Sequence, residues 1–197
     1  MACCRRSDRA SLPNFFSSRC EVSLLWIFAY LGLERLLELH VSRKHRLAAV
    51  ARGGREFYAE TFFRMATLHS LFLVALFWES YPWRILANPF NGALVGFFVL
   101  LQGMRYWCIL SLGEAWNTRI VLIPGGRVRK RGPYLLIAHP NYLVVTLEFI
   151  ILPLLMHAPF TFAVFFPANL LILRQRIRLE ERALRQFTDY DERFPVA

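Results

Sequence analysis

The sequence predicts an all-α, polytopic membrane bundle of about five transmembrane helices, ending in a helical hairpin and a cytoplasmic C-terminal helix. Three observations predict it. The chain is 56% hydrophobic and 19% charged, with 18 Phe among 197 residues, and its mean hydropathy is +0.35, a balance far from that of a soluble domain. Apolar stretches recur at about residues 22–39, 62–83, 90–110, 142–156 and 160–173. Lys and Arg gather in alternate connecting segments, the pattern of a chain threaded through a bilayer.

Each element follows in order. Residues 1–21 form a polar leader, expected to be flexible, that lacks the h-region and cleavage pattern of a signal peptide. Residues 22–110 are expected to form a three-helix membrane region, because each of its apolar stretches reaches the roughly 20 residues a spanning helix needs. Glu34, Arg35 and Glu38 interrupt the first helix and must be paired or interfacial; the simplest reading is that the helix ends there and runs into a basic loop. His69 and Glu79 mark the second helix, and Gln102 and Arg105 the third. Interhelical hydrogen bonding accounts for His69 and Gln102, and the spacing of Gly92 and Gly96 suits close helix contact.

Residues 111–197 read differently. Gly113, Asn117, Thr118, Pro124, Gly125, Gly126, Gly132 and Pro133 break any long helix and make a structured loop, with a short extended piece over residues 121–123. The fourth helix begins at Pro140, which suits a first helical turn, so His139 sits at or beside its cap. Glu148, about two turns deeper, must hydrogen-bond inside the bundle or line a pocket. The last two apolar stretches are short and joined by Met156, His157, Ala158 and Pro159, a hairpin turn. The final helix then continues as a charged segment in which Arg176 and Glu180 share a face, either as a surface ion pair or as part of a site.

The net charge of +10 raises the question of nucleic acid, but the placement of the cations answers it. Arg43, Lys44, Arg46, Arg52 and Arg55 follow the first helix, Arg119, Arg127, Arg129, Lys130 and Arg131 follow the third, and Arg174, Arg176, Arg178, Arg182 and Arg185 follow the fifth. These regions are expected to face the cytoplasm, with the N-terminus outside and no nucleic-acid partner. Arg5, Arg6, Arg9 and Arg19 of the leader do not fit the count. Cys3, Cys4, Cys20 and Cys108 show neither metal spacing nor a disulfide framework, so no metal site is expected.

His139, Pro140, Asn141 and Tyr142 thus stand at the same membrane surface as Arg176 and Glu180. A polar ligand is the natural reason to hold them there.

Gly132-Pro133-Tyr134, then His139-Pro140-Asn141-Tyr142, then Arg176 with Glu180-Glu181 and Leu184, resembles the isoprenylcysteine carboxyl methyltransferase and phospholipid methyltransferase superfamily. With Leu68-His69-Ser70 and Trp116-Asn117-Thr118, the chain looks most like the small bacterial members that methylate long-chain alkylpyrones. The resemblance implies a helical membrane protein that uses S-adenosylmethionine without a Rossmann domain, and no G-x-G-x-x-G element is present. It implies cofactor contacts from Arg127, Val128, Arg129, Tyr134, His139, Pro140, Asn141, Tyr142 and Glu180. Arg176 would orient the substrate, and Glu148 is a substrate-pocket candidate. Ala138 stands where the family usually has Arg, and Val144 where it often has Gly.

The implied reaction is O-methylation of a lipid-like acidic acceptor, an isoprenylcysteine-type carboxylate or an alkylpyrone enol. Such an oxygen is anionic at neutral pH and needs a counterion rather than a base. N-methylation of a phospholipid amine and a non-enzymatic membrane scaffold are the alternative readings. With no organelle signal in the sequence, a bacterial cytoplasmic membrane is the expected location.

Overall fold

The computed structural model describes residues 21–194. Residues 1–20 of the expected leader, with Cys3, Cys4 and Cys20, lie outside the described residues. The element order is β1 (Glu21–Ser23), α1 (Leu25–Ala51), β2 (Arg55–Phe57), α2 (Glu60–Glu79), β3 (Arg84–Leu86), α3 (Pro89–Leu112), β4 (Ile120–Leu122), α4 (Pro140–Leu155), α5 (Pro159–Phe187) and α6 (Tyr190–Arg193), with 3-10 turns at Gly113–Ala115 and Gly132–Leu135.

The fold is mostly helical, as expected, but not all-α. β1 pairs antiparallel with β3 at one end of the bundle, and β2 with β4 at the other, in the registers Val22↔Ile85 and Glu56↔Val121. Three-residue strands carry too little alternation to be read from sequence. The expected extended piece at residues 121–123 is β4, one residue earlier.

Two described helices have the length and apolar composition to cross a membrane unaided, α2 and the run from Pro89 to Ala115. α4 has 16 residues, about 24 Å at 1.5 Å per residue, short of a roughly 30 Å hydrocarbon core. α5 is long enough but apolar only in its first half, and α1 is interrupted by charge.

α1 does not stop at Glu38. It runs on to Ala51 through Arg43, Lys44 and Arg46, because good helix formers continue until Gly53 and Gly54 end it. Its charged stretch is therefore internal. Glu34 and Glu38 are buried against Arg105 of α3, whose Nη1 donates to Glu38 Oε1 at 3.0 Å and whose Nη2 donates to Glu148 of α4. Arg35 Nη1 donates to Glu38 at 2.5 Å, Gln102 Nε2 donates to Glu148 Oε1 at 2.8 Å, and the Tyr30 hydroxyl donates to Glu34 at 3.2 Å. A polar layer thus ties α1, α3 and α4 together at mid-bundle, and Gln102 makes the interhelical bond expected of it.

Beyond that layer the core is apolar. Ile27, Leu31, Leu68, Phe72, Leu76, Phe98, Val145, Phe149, Leu152 and Leu155 are buried together, with Phe72 stacked on Phe149 at 4.1 Å. His69 bonds Met65 O within its own helix and meets the Phe149 ring edge-on, so it packs without the interhelical bond expected of it. Gly92 and Gly96 have no neighbour where a Cβ would stand and so serve no helix contact. At the end bearing the α4–α5 turn, Glu79 accepts from Phe160 N at 2.8 Å, and from Thr161 N and the Thr161 hydroxyl at 2.6 Å. That carboxylate caps α5 from another helix.

Candidate functional site

A cavity of about 340 Å³ opens at the end of the bundle where α4 begins and the charged half of α5 emerges. Its walls come from segments far apart in the chain. Ala49 and Arg52 belong to the end of α1; Trp116, Asn117, Arg119 and β4 to the loop after α3; Gly126, Arg127, Val128 and Arg129 to the glycine-containing turn. Tyr134, Ala138, His139, Asn141 and Tyr142 lead into α4, and Glu180, Leu184, Thr188, Tyr190 and Phe194 close the ring.

The loop is held in place from two sides. Ser42 of α1 donates its hydroxyl to Asn117 Oδ1 at 2.7 Å and accepts from Thr118 N at 3.0 Å, while His45 Nδ1 bonds Trp116 O at 2.8 Å. From the other side the chain after α5 clasps the turn. Gly125 N donates to Phe187 O at 2.8 Å and Val128 N to Asp189 Oδ1 at 2.6 Å. Gly132 adopts φ +56, and a Cβ there would stand 2.2 Å from Ser111 Oγ, so only glycine lets Pro133 and Tyr134 pack on α3.

His139 is the N-cap of α4 and Pro140 its first residue, as the sequence predicts. The His139 and Tyr142 rings stack 5.2 Å apart. His139 Nε2 donates to Glu181 Oε1 at 3.2 Å, and the Tyr142 hydroxyl donates to Glu180. Arg176 completes this set from behind: its Nε donates to the Tyr142 oxygen at 2.9 Å and its Nη2 to Thr118 O at 2.6 Å. Arg176 and Glu180 are thus bridged by a phenol rather than paired directly.

Of the residues implied as cofactor contacts, Arg127, Val128, Arg129, Tyr134, His139, Asn141, Tyr142 and Glu180 all line the cavity, and Pro140 does not. Arg176, only 5% exposed, lies behind the wall. Glu148 sits in the mid-bundle polar layer, away from the cavity.

The chemistry of the walls is mixed. Arg127 is exposed and has no hydrogen-bond or ion-pair partner among the described residues. Arg52 pairs with Glu114 at 2.9 Å, Arg119 with Glu56 at 2.5 Å, and Arg129 donates to Leu112 O at 2.9 Å. Asn141 Oδ1 is buried without a donor. Burial raises the Tyr134 phenol well above its ordinary value, and burial next to Glu181 pushes Tyr190 up to about 12. Both phenols are neutral donors at physiological pH.

Ser42, His45, Asp189, Tyr190 and Phe194 were not legible as site residues. A signal for the first two exists: Glu34, Glu38, Ser42, His45 and Ala49 recur at helical spacing straight past the expected end of α1. The residues after α5 carry no such pattern.

Residues 94–186 match the profile of the isoprenylcysteine carboxyl methyltransferase (ICMT) family. The chain is 33% identical over 166 residues to the uncharacterized protein YpbQ of Bacillus subtilis (strain 168), spanning 84% of this chain and 99% of the relative. It is 27% identical over 158 residues to an uncharacterized protein of Haemophilus influenzae (strain ATCC 51907 / DSM 11121 / KW20 / Rd), spanning 80% of this chain and 92% of that one. No solved structure matches it. The class is that of the membrane methyltransferases. Within it, the chain belongs to the isoprenylcysteine carboxyl methyltransferase family.

Proposed function

We propose that this chain is an integral membrane, S-adenosylmethionine-dependent O-methyltransferase acting on a lipid-like acidic acceptor, an isoprenylcysteine-type carboxylate or an alkylpyrone enol. The observation that carries the reading is the cavity itself, which gathers Arg127, Tyr134, His139, Asn141, Tyr142 and Glu180 from separate segments around one space.

The walls fit a nucleoside carrying an amino acid. The volume lies at the lower end of the range of small-molecule sites. Arg127 suits a carboxylate, Glu180 an ammonium, and the stacked His139 and Tyr142 rings a flat or cationic surface. When bound, S-adenosylmethionine supplies a methyl group on a positively charged sulfur that an anionic oxygen can displace.

The protein's tasks are alignment and exclusion of water. Tyr142 is fixed by Arg176 on one side and Glu180 on the other, so its ring forms a rigid wall for the reacting groups. We assign Arg176 to substrate orientation exerted through Tyr142 and the Thr118 carbonyl. The segment after α5, bonded to the turn through Asp189 and Phe187, screens the cavity from solvent.

All five long helices lie in the membrane on this reading, α4 and α5 as a hairpin, with the cavity end at the cytoplasmic face of a bacterial membrane. Cofactor then enters from the cytoplasm and acceptor from the bilayer. Mass spectrometry of lipid extracts from cells with and without the expressed protein tests the activity. A neutral methyl ester or enol ether one methylene heavier than its acidic precursor, present only on expression and lost in Glu180→Ala, is the expected result; methylated phospholipid amines instead would favour N-methylation, and no new species would end the proposal.

A further inference from the structure

A second hollow, a groove of about 330 Å³, runs between the first turns of α4 and the middle of α5. His139 and Tyr142 at one end of it also line the cavity described above, so the two spaces meet at this pair of rings. Away from the rings its walls are apolar, with Leu143 and Leu170 exposed along its length.

Two cations rim this groove, Arg174 and Arg178, one helical turn apart on the same face of α5. Both are exposed, and neither has a hydrogen bond or ion pair among the described residues. No Asp or Glu lines the groove. Arg176, between them in sequence, is turned away and committed to Tyr142 and Thr118.

Resting on the methyltransferase reading above, we infer that this groove is the acceptor site, and that Arg174 and Arg178 are the counterions that select a single-headed anion with a long apolar tail. The tail lies along Leu143 and Leu170 within the bilayer, and the head sits at the two guanidinium groups beside Tyr142. An arginine forks onto a carboxylate or enolate with directional bonds that an ammonium lipid cannot supply, so the pair favours acids over neutral or cationic heads. The shared ring wall points to the acceptor rather than to a bulk phospholipid. A phospholipid headgroup would need no passage to the cavity.

The test uses full-length protein in phosphatidylcholine nanodiscs. Two ligand pairs are compared by displacement of tritiated acid: N-acetyl-S-farnesylcysteine against its carboxamide, and a long-chain alkyl hydroxypyrone against its O-methyl ether. Wild type is expected to bind at least one acid about tenfold more tightly than its neutral partner, the scale of a charge-assisted bond. Arg174→Gln/Arg178→Gln should lose that preference and Arg174→Lys/Arg178→Lys keep part of it, while all three bind S-adenosylhomocysteine alike. Wild type with no preference in either pair overturns the inference, as does a preference unchanged in the Gln double variant. Displacement of the acid by phosphatidylglycerol at equal surface concentration overturns it too, because the groove would then be a headgroup site. If acid preference holds but wild type fails to bind S-adenosylhomocysteine, the methyltransferase reading falls and the acceptor role falls with it, leaving only an acid-binding groove.

Discussion

Tyr142 is the residue on which the site turns. Its hydroxyl donates to Glu180 while accepting from Arg176 Nε at 2.9 Å, and Arg176 Nη2 reaches the Thr118 carbonyl at 2.6 Å. One guanidinium thus fixes a cavity wall from α4 to a loop that α1 anchors through Ser42. Lysine carries its three donors on one nitrogen and lacks the planar fork with which Nε and Nη2 span the two acceptors. Arg176→Lys is expected to lower turnover about 10- to 100-fold, the scale of losing an aligning contact; initial rates with saturating cofactor would show it, and wild-type turnover would refute the role. The same cluster shows what the sequence carries. His139 to Tyr142, Arg176 and Glu180 were legible because Pro140 marks a helix start and the charges stand where a membrane chain must justify them. What spacing could not tell is that Arg176 reaches Glu180 through a phenol. That depends on how α4 and α5 pack.

At the scale of elements, two features hold the helices that carry the site. Glu79 caps α5 from the end of α2 with bonds to two backbone N–H groups and a hydroxyl. Glu79→Ala is expected to cost about 1–2 kcal/mol, as losing a cap does, and to lower the thermal midpoint in detergent. An unchanged midpoint would mean water replaces the cap. The polar layer is the stronger tie: Arg105 faces Glu34, Glu38 and Glu148 from the centre of the bundle, and Arg35 of α1 meets the same three. Arg105→Met leaves three buried carboxylates with Arg35 as their one cation among the described residues and is expected to cost about 3–5 kcal/mol, partly recovered by adding Glu148→Gln. Denaturation of both variants in detergent would measure this, and no loss in the single variant would contradict it. The apolar helices were legible from length and hydropathy. The true length of α1 was not, because Glu34, Arg35 and Glu38 look like a helix end until their partners on α3 and α4 are known. The three-residue strands left no periodic trace.

On the scale of the whole molecule, the long helices form one core and send their chemistry to one end. Apolar side chains from α1, α2, α3 and α4 pack together in one core. The end of α1 supplies Ala49 and Arg52 to a cavity otherwise built by the later region, and Ser42 and His45 hold that region's loop. The family match begins at residue 94 and ends at residue 186, leaving outside it both α1 and the clasp of Asp189, Tyr190 and Phe194. Those flanking parts complete the cavity, and the central claim is that what they complete is a methyl-donor site. Equilibrium binding of radiolabelled S-adenosylmethionine to the purified full-length protein in detergent tests this most directly. The account predicts saturable binding at one site per chain, displaced by S-adenosylhomocysteine and weakened about tenfold or more by Glu180→Ala or Arg127→Ala, each of which removes a charged partner for a group on the ligand. Absence of saturable binding by the folded wild-type protein, or binding indifferent to both substitutions, would contradict it.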